Sequence, residues 1–131
     1  MTLYAVIFDP ANGQIHWTVT GTTREELEMS VPEYLDWMII PDDVYVDVNA
    51  DYVKDGSIVK RPLMEVTWRY DAVARDIVVE KIPVGAMVTV RNWQGVVNDG
   101  FIVWRVAEPG FYRIYIELFP YQPEWVHAEI T

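Results

Sequence analysis

The stretch EPGFYRIYIELFPYQPEWVHAEIT, residues 108–131, decides the fold. Proline-glycine at 109–110 ends one segment and turns the chain. Tyr112, Ile114, Ile116 and Leu118 then share one face at strand period, and Arg113, Tyr115, Glu117 and Phe119 share the other. The run PYQPE interrupts the pattern, because Pro120 and Pro123 have no backbone N–H to give to a ladder. Val126, Ala128 and Ile130 resume the inward alternation. The spacing therefore predicts two consecutive strands with one buried face. Tyr115, Phe119 and Trp125 point away from it.

The same grammar extends backwards. FIVWRV (101–106), AMVTVRN (86–92), WQGVV (93–97) and DIVVEKI (76–82) are short apolar-rich runs, separated by the turn chemistry of Asn98-Asp99-Gly100 and Pro83-Val84-Gly85. Ala86, Val88 and Val90 fall together on one face. MEVTWRY (64–70) is also extended, with Met64, Val66, Trp68 and Tyr70 aligned. Many short strands without an ordinary helix are the signature of a sandwich or small Greek key, and parallel α/β architecture does not fit.

The first half reads differently. LYAVIF (3–8), the turn DPANG (9–13) and QIHWTV (14–19) form a strand, a reversal and a return strand. Thr22 or Thr23 caps a short helix, since each has a glutamate three residues on. VPEYLDWMII (31–40) fits a helical turn or an irregular aromatic segment equally, and VYVDV (44–48) alternates as a strand. NADYVKDGSIVK (49–60) is the clearest hairpin, with Asp55-Gly56 suited to a type I′ turn. The expected chain is mainly β: a hairpin-rich unit at 1–62, a connecting segment at 63–71 and a small antiparallel β-sandwich at 72–131.

Composition bounds the function. The 131 residues are 51% apolar and 23% charged, as in globular proteins. The net charge of −10 repels phosphate backbones, and no basic patch offsets it, so nucleic acid is not an expected partner. The absence of cysteine excludes disulfides and thiolate metal sites. MTLYAVIFDP lacks the basic start and long apolar stretch of a secretory leader, and no run is long enough for a membrane helix.

YVKDGSIVKRP (52–62) resembles the "YVxDGxIxxRP" segment of small bacteriophage tail proteins. IPVGAMVTV (82–90), the Asp-Gly at 99–100 and EPGFYRIYIELFPY (108–121) follow the order typical of those chains. The resemblance covers roughly 44–131. It implies an immunoglobulin-like or prealbumin-like C-terminal sandwich and a tail-tip, fibre-adaptor or tail-assembly role. The implied location is the virion tail after synthesis in the host cytoplasm. The implied partners are other tail proteins, with a homo-oligomeric arrangement among the expected assemblies.

Candidate chemistry is sparse. His16 and His127 show no HxH or HExxH spacing, and Asp42, Asp43, Asp47, Asp51 and Asp55 lack the dense DxDxDG arrangement of a calcium loop. Ser30 and Ser57 are the only serines, with no nucleophile elbow or phosphate loop around them. The chain is expected to be non-enzymatic, without metal or cofactor. Trp17, Trp68 and Trp104 lie on apolar strand faces and are expected in the core. Trp93 and Trp125 fall at turn edges. Trp93, Tyr115, Phe119 and Trp125 are the candidate partner-binding residues. The alternative function is a carbohydrate-binding or host-receptor module, which coplanar exposed rings around a shallow groove would favour.

Overall fold

The computed structural model describes residues 2–131. Among the described residues there are twelve strands and one short helix, divided between two compact units whose boundary along the chain falls between Arg61 and Pro62. No helix among the described residues is long and apolar enough to cross a membrane.

In the first unit, β1 (Leu3–Phe8) lies between β2 (Ile15–Gly21) and β3 (Asp36–Ile40), antiparallel to both. Ala5, Val6 and Ile7 are fully buried, so the central strand is covered on both faces and reads as an unbroken apolar run. On one face, Val6, Ile15 and Ile40 cluster with Val53 from the hairpin of β4 (Asp51–Lys54) and β5 (Ser57–Lys60). That hairpin turns on Asp55 and Gly56, with φ of 52° and 74°, as a type I′ turn requires. Gly13 joins hairpin to sheet. Its φ is 82°, its carbonyl accepts from Val53 N at 2.9 Å, and a Cβ there would collide with the Val53 carbonyl.

The helix α1 (Arg24–Met29) starts at Thr23, whose hydroxyl accepts from Glu26 N at 3.2 Å. The Glu26 carboxylate reaches back to the Thr22 N–H and hydroxyl, both at 2.9 Å, in a variant of the capping box. Leu27 is the buried residue of the helix.

Two sequence expectations fail in this unit. The ambiguous stretch 31–40 contains β3. The alternating VYVDV at 44–48 joins no ladder: Val46 and Val48 still pack on the small core, but Asp47 bonds locally. Its carboxylate accepts from Asn49 N, and its own N–H donates to Asp51 Oδ2 at 2.8 Å. Such side-chain–backbone bonds compete with strand pairing.

The second unit is a two-sheet sandwich. One sheet orders β10 (Ile102–Arg105), β7 (Asp76–Glu80) and β6 (Thr67–Asp71). The other orders β12 (Glu124–Ile130), β11 (Gly110–Glu117), β8 (Ala86–Val90) and β9 (Trp93–Val97). All pairings are antiparallel. The core draws Ile77 and Val79 from the first sheet and Val88, Val90, Ile114, Ile116 and Val126 from the second, so the sheets pack face to face.

In chain order, the first, second and fifth strands form one sheet and the third, sixth and seventh belong to the other. That is the immunoglobulin-like arrangement, with one change. The fourth strand, β9, joins β8 because only Arg91 and Asn92 separate the paired Val90 and Trp93. Tyr112, at the start of the sixth strand, donates its hydroxyl to the Glu108 carbonyl at 2.6 Å, the tyrosine corner of such sandwiches.

Segment 63–71, expected as a connector, carries β6 and belongs to the sandwich. Trp17 and Trp68, expected in the core, are 37% and 43% exposed. Both sit on end strands of three-stranded sheets, where only one neighbouring strand flanks the ring. Trp104 is half-buried against the sandwich core.

Candidate functional site

Strand period places every second residue of β11 and β12 on the solvent face of the four-stranded sheet, and cross-strand register then decides which of them meet. Tyr115 pairs with Trp125 on one side and Thr89 on the other, and Thr89 pairs with Gln94. A single row, Trp125–Tyr115–Thr89–Gln94, thus crosses all four strands. The Tyr115 and Trp125 rings lie 4.6 Å apart with planes inclined at 40°. Gln94 Nε2 donates to Thr89 Oγ1 at 3.2 Å, and the Tyr115 hydroxyl donates to Glu117 Oε2 at 3.3 Å.

The neighbouring row pairs Arg113 with His127. The His127 ring stacks on Trp125, at 6.0 Å and 20°. Beyond it Phe111, 71% exposed, pairs with Glu129. Trp125 is half exposed, and Val96 adds an apolar side chain from β9. The face therefore has an aromatic centre, with Arg113, Glu117 and Glu129 around it. An aromatic pair of this kind contributes about 0.5–1.5 kcal/mol beyond its area. It also presents rigid, low-entropy surface suited to a protein partner.

The four sequence candidates do not converge. Tyr115 and Trp125 form the centre of this face. Trp93 lies on the opposite, inward side of the sheet, aligned with Val97. It closes the open margin between the sheets, its ring folded over Gly95 and 6.2 Å from the Trp104 ring. Phe119 is half-buried in the turn between β11 and β12, next to the cis bond to Pro120. Sequence reasoning passed over Phe111 and weighed His127 only as a metal ligand. The alternation that exposed Tyr115 and Trp125 could have found both.

The solvent face of the three-stranded sheet carries a groove of about 520 Å³ lined by Val78, Phe101 and Val103 among charged residues. Arg105 Nε donates to Asp76 at 2.8 Å, and this bond, with the Asp76 charge, raises the guanidinium pKa above its ordinary value. Arg69 faces Glu80 at 3.7 Å. In the first unit, Asp42, Asp43 and Tyr45 line a groove of about 340 Å³ with Tyr4.

Three of the aspartates weighed for calcium, Asp47, Asp51 and Asp55, make local structural contacts. Asp51, almost fully buried, meets Lys60 Nζ at 3.0 Å and the Asp47 N–H, while Asp55 forms the hairpin turn. Among the described residues no three His, Cys, Asp or Glu side chains gather as a metal site. No family model, curated protein or solved structure matches the chain.

Proposed function

We propose that the chain is a non-catalytic structural or adaptor component of a bacteriophage tail, docking other tail proteins through the solvent face of the β12–β11–β8–β9 sheet. The observation that carries the docking reading is the packed, solvent-facing Tyr115–Trp125 pair, with Trp125 half exposed and Tyr115 partly buried, extended by His127 and Phe111 and ringed by charge. An aromatic centre inside a polar rim is the usual anatomy of a protein interface. The tail assignment rests on the likeness of 52–62, 82–90 and 108–121 to small tail proteins. In this reading the chain is made in the host cytoplasm and resides in the virion.

The 40° inclination of the two central rings favours a protein partner over a sugar, because saccharide stacking uses a flat, coplanar platform. Trp125→Ala and Tyr115→Ala separate the two. Both variants are expected to fold, judged by circular dichroism, and to lose incorporation into particles, judged by mass spectrometry of purified virions. Intact incorporation with loss of glycan-array binding would establish the carbohydrate reading instead.

A further inference from the structure

β12 bonds to β11 on one side and, among the described residues, to no strand on the other. Register shows which of its backbone groups face the open side. Val90 and Trp93 flank a two-residue loop and so form a hydrogen-bonded pair. Antiparallel alternation then turns Thr89 and Met87 towards β11, and Ile114 and Ile116 towards β12. The N–H and C=O groups of Trp125, His127 and Glu129 are left facing outward. The Trp125 N–H agrees: its partner is the adjacent Glu124 carboxylate, at 3.1 Å.

We infer that this edge pairs with β12 of a second copy of the chain, antiparallel about a two-fold axis at His127, so that two four-stranded sheets become one. The strand runs from Glu124 to Ile130, and its middle residue is His127. Full overlap sets His127 against its own copy and each Trp125 against the other copy's Glu129. Every outward-facing group is then used, since each of these residue pairs exchanges two hydrogen bonds. Sliding the partner by two residues removes one of the pairs. On the inner face Val126 meets Ala128 of the second copy, so the apolar layer continues across the axis.

Nothing within the strand blocks this pairing. It has no proline, no lysine and no bulge, the devices that usually guard an edge, and its carboxylates sit near the ends. The Glu124 carboxylate on the Trp125 N–H is the one local competitor. The other free edge of the sheet, β9, offers less. It has five residues, its centre is Gly95, and only Gln94 and Val96 face outward, so two-fold pairing gives fewer bonds. The edges of the opposite sheet carry Arg69, Asp71 and Arg105. Pairing at β12 would double the Tyr115–Trp125 row into one face across the axis, but it stands on backbone geometry and does not require the docking reading.

Sedimentation velocity of the full chain over a concentration series tests it. The expected result is a species of twice 15.2 kDa that dissociates on dilution. His127→Lys puts two lysines opposite each other on Cα atoms about 5.5 Å apart, so two like charges share one site across the axis. It should raise the dissociation constant at least tenfold while leaving the circular dichroism spectrum unchanged. Gln94→Lys, on the β9 edge, should change nothing. A wild-type chain that stays monomeric at every concentration would overturn the inference. So would a dimer that survives His127→Lys, or one broken by Gln94→Lys alone.

Discussion

Tyr112→Phe removes one oxygen atom and tests the corner that organises the sandwich. The Tyr112 side chain is almost fully buried, and its hydroxyl holds the Glu108 carbonyl at 2.6 Å. Phenylalanine keeps the ring, its core contacts and the Arg91 guanidinium that sits 4.3 Å from the ring centre. The loss is therefore the hydrogen bond alone. A net bond of this kind is worth about 0.5–1.5 kcal/mol, and a stranded buried acceptor adds about 1–3 kcal/mol. Glu108 is an exposed residue, so water can reach its carbonyl and the second contribution falls away. The expected cost is about 1 kcal/mol, a drop of about 4–8 °C in the melting temperature of a unit of this size. Urea unfolding followed by tryptophan fluorescence gives the free energy, and amide exchange in β11 locates it. Tyr34→Phe, at an exposed position in the other unit, is the control. A Tyr112→Phe protein as stable as the control would refute the corner's role.

Three further outcomes follow from individual residues. Gly13→Ala should destabilise the first unit by more than about 2 kcal/mol in chemical denaturation, since a left-handed backbone costs about 1–2 kcal/mol and the new methyl strikes the Val53 carbonyl. Gly95→Ala should shift tryptophan fluorescence and near-ultraviolet dichroism, because a Cβ there lies 2.8 Å from Trp93 and must push the ring relative to Trp104. Overpacking usually costs about 1–3 kcal/mol, and the 40% exposure of Trp93 should hold this case to the lower end. Glu26 should titrate below the ordinary glutamate range in a carboxyl NMR experiment, because the Thr22 N–H and then its hydroxyl bond to the ionised form. With the folded-state pKa depressed, its contribution to helix stability is complete above the unfolded-state value and is lost as pH falls through the lowered one. Glu26→Gln should abolish that dependence.

The sandwich was legible wherever one face of a strand is buried and the other wet. Tyr112, Ile114 and Ile116, then Val126, Ala128 and Ile130, alternate strictly and are buried strictly. The Asp55-Gly56 hairpin was equally plain, because positive φ at both central positions has few sequence solutions. Legibility fell where local and tertiary preferences diverge. VYVDV alternates like a strand, yet Asp47 and Asp51 take up its backbone groups. In DWMII apolar residues sit on both sides of the chain, because β3 flanks a doubly covered β1, and the period is lost.

The candidate site was legible by face but not by register. Alternation exposes Tyr115 and Trp125 separately, and only the pairing of β11 with β12 puts their rings 4.6 Å apart. Trp93 looked like an exposed turn residue because it follows Arg91-Asn92. The two-residue loop instead starts β9 at Trp93 itself and commits its ring to the inward side. Trp17 and Trp68 show the converse: an apolar strand face predicts burial, but at a sheet end a large ring stays partly in water.

In the proposed function, the solvent face around Trp125 contacts another protein in the assembled tail. A photo-crosslinking phenylalanine analogue placed at Trp125, and separately at Val73 as a fully exposed control, tests it in purified virions. The probe at 125 should capture a different virion protein, and the probe at 73 should not. A chain absent from the particles, or a probe at 125 that captures nothing there, would contradict it.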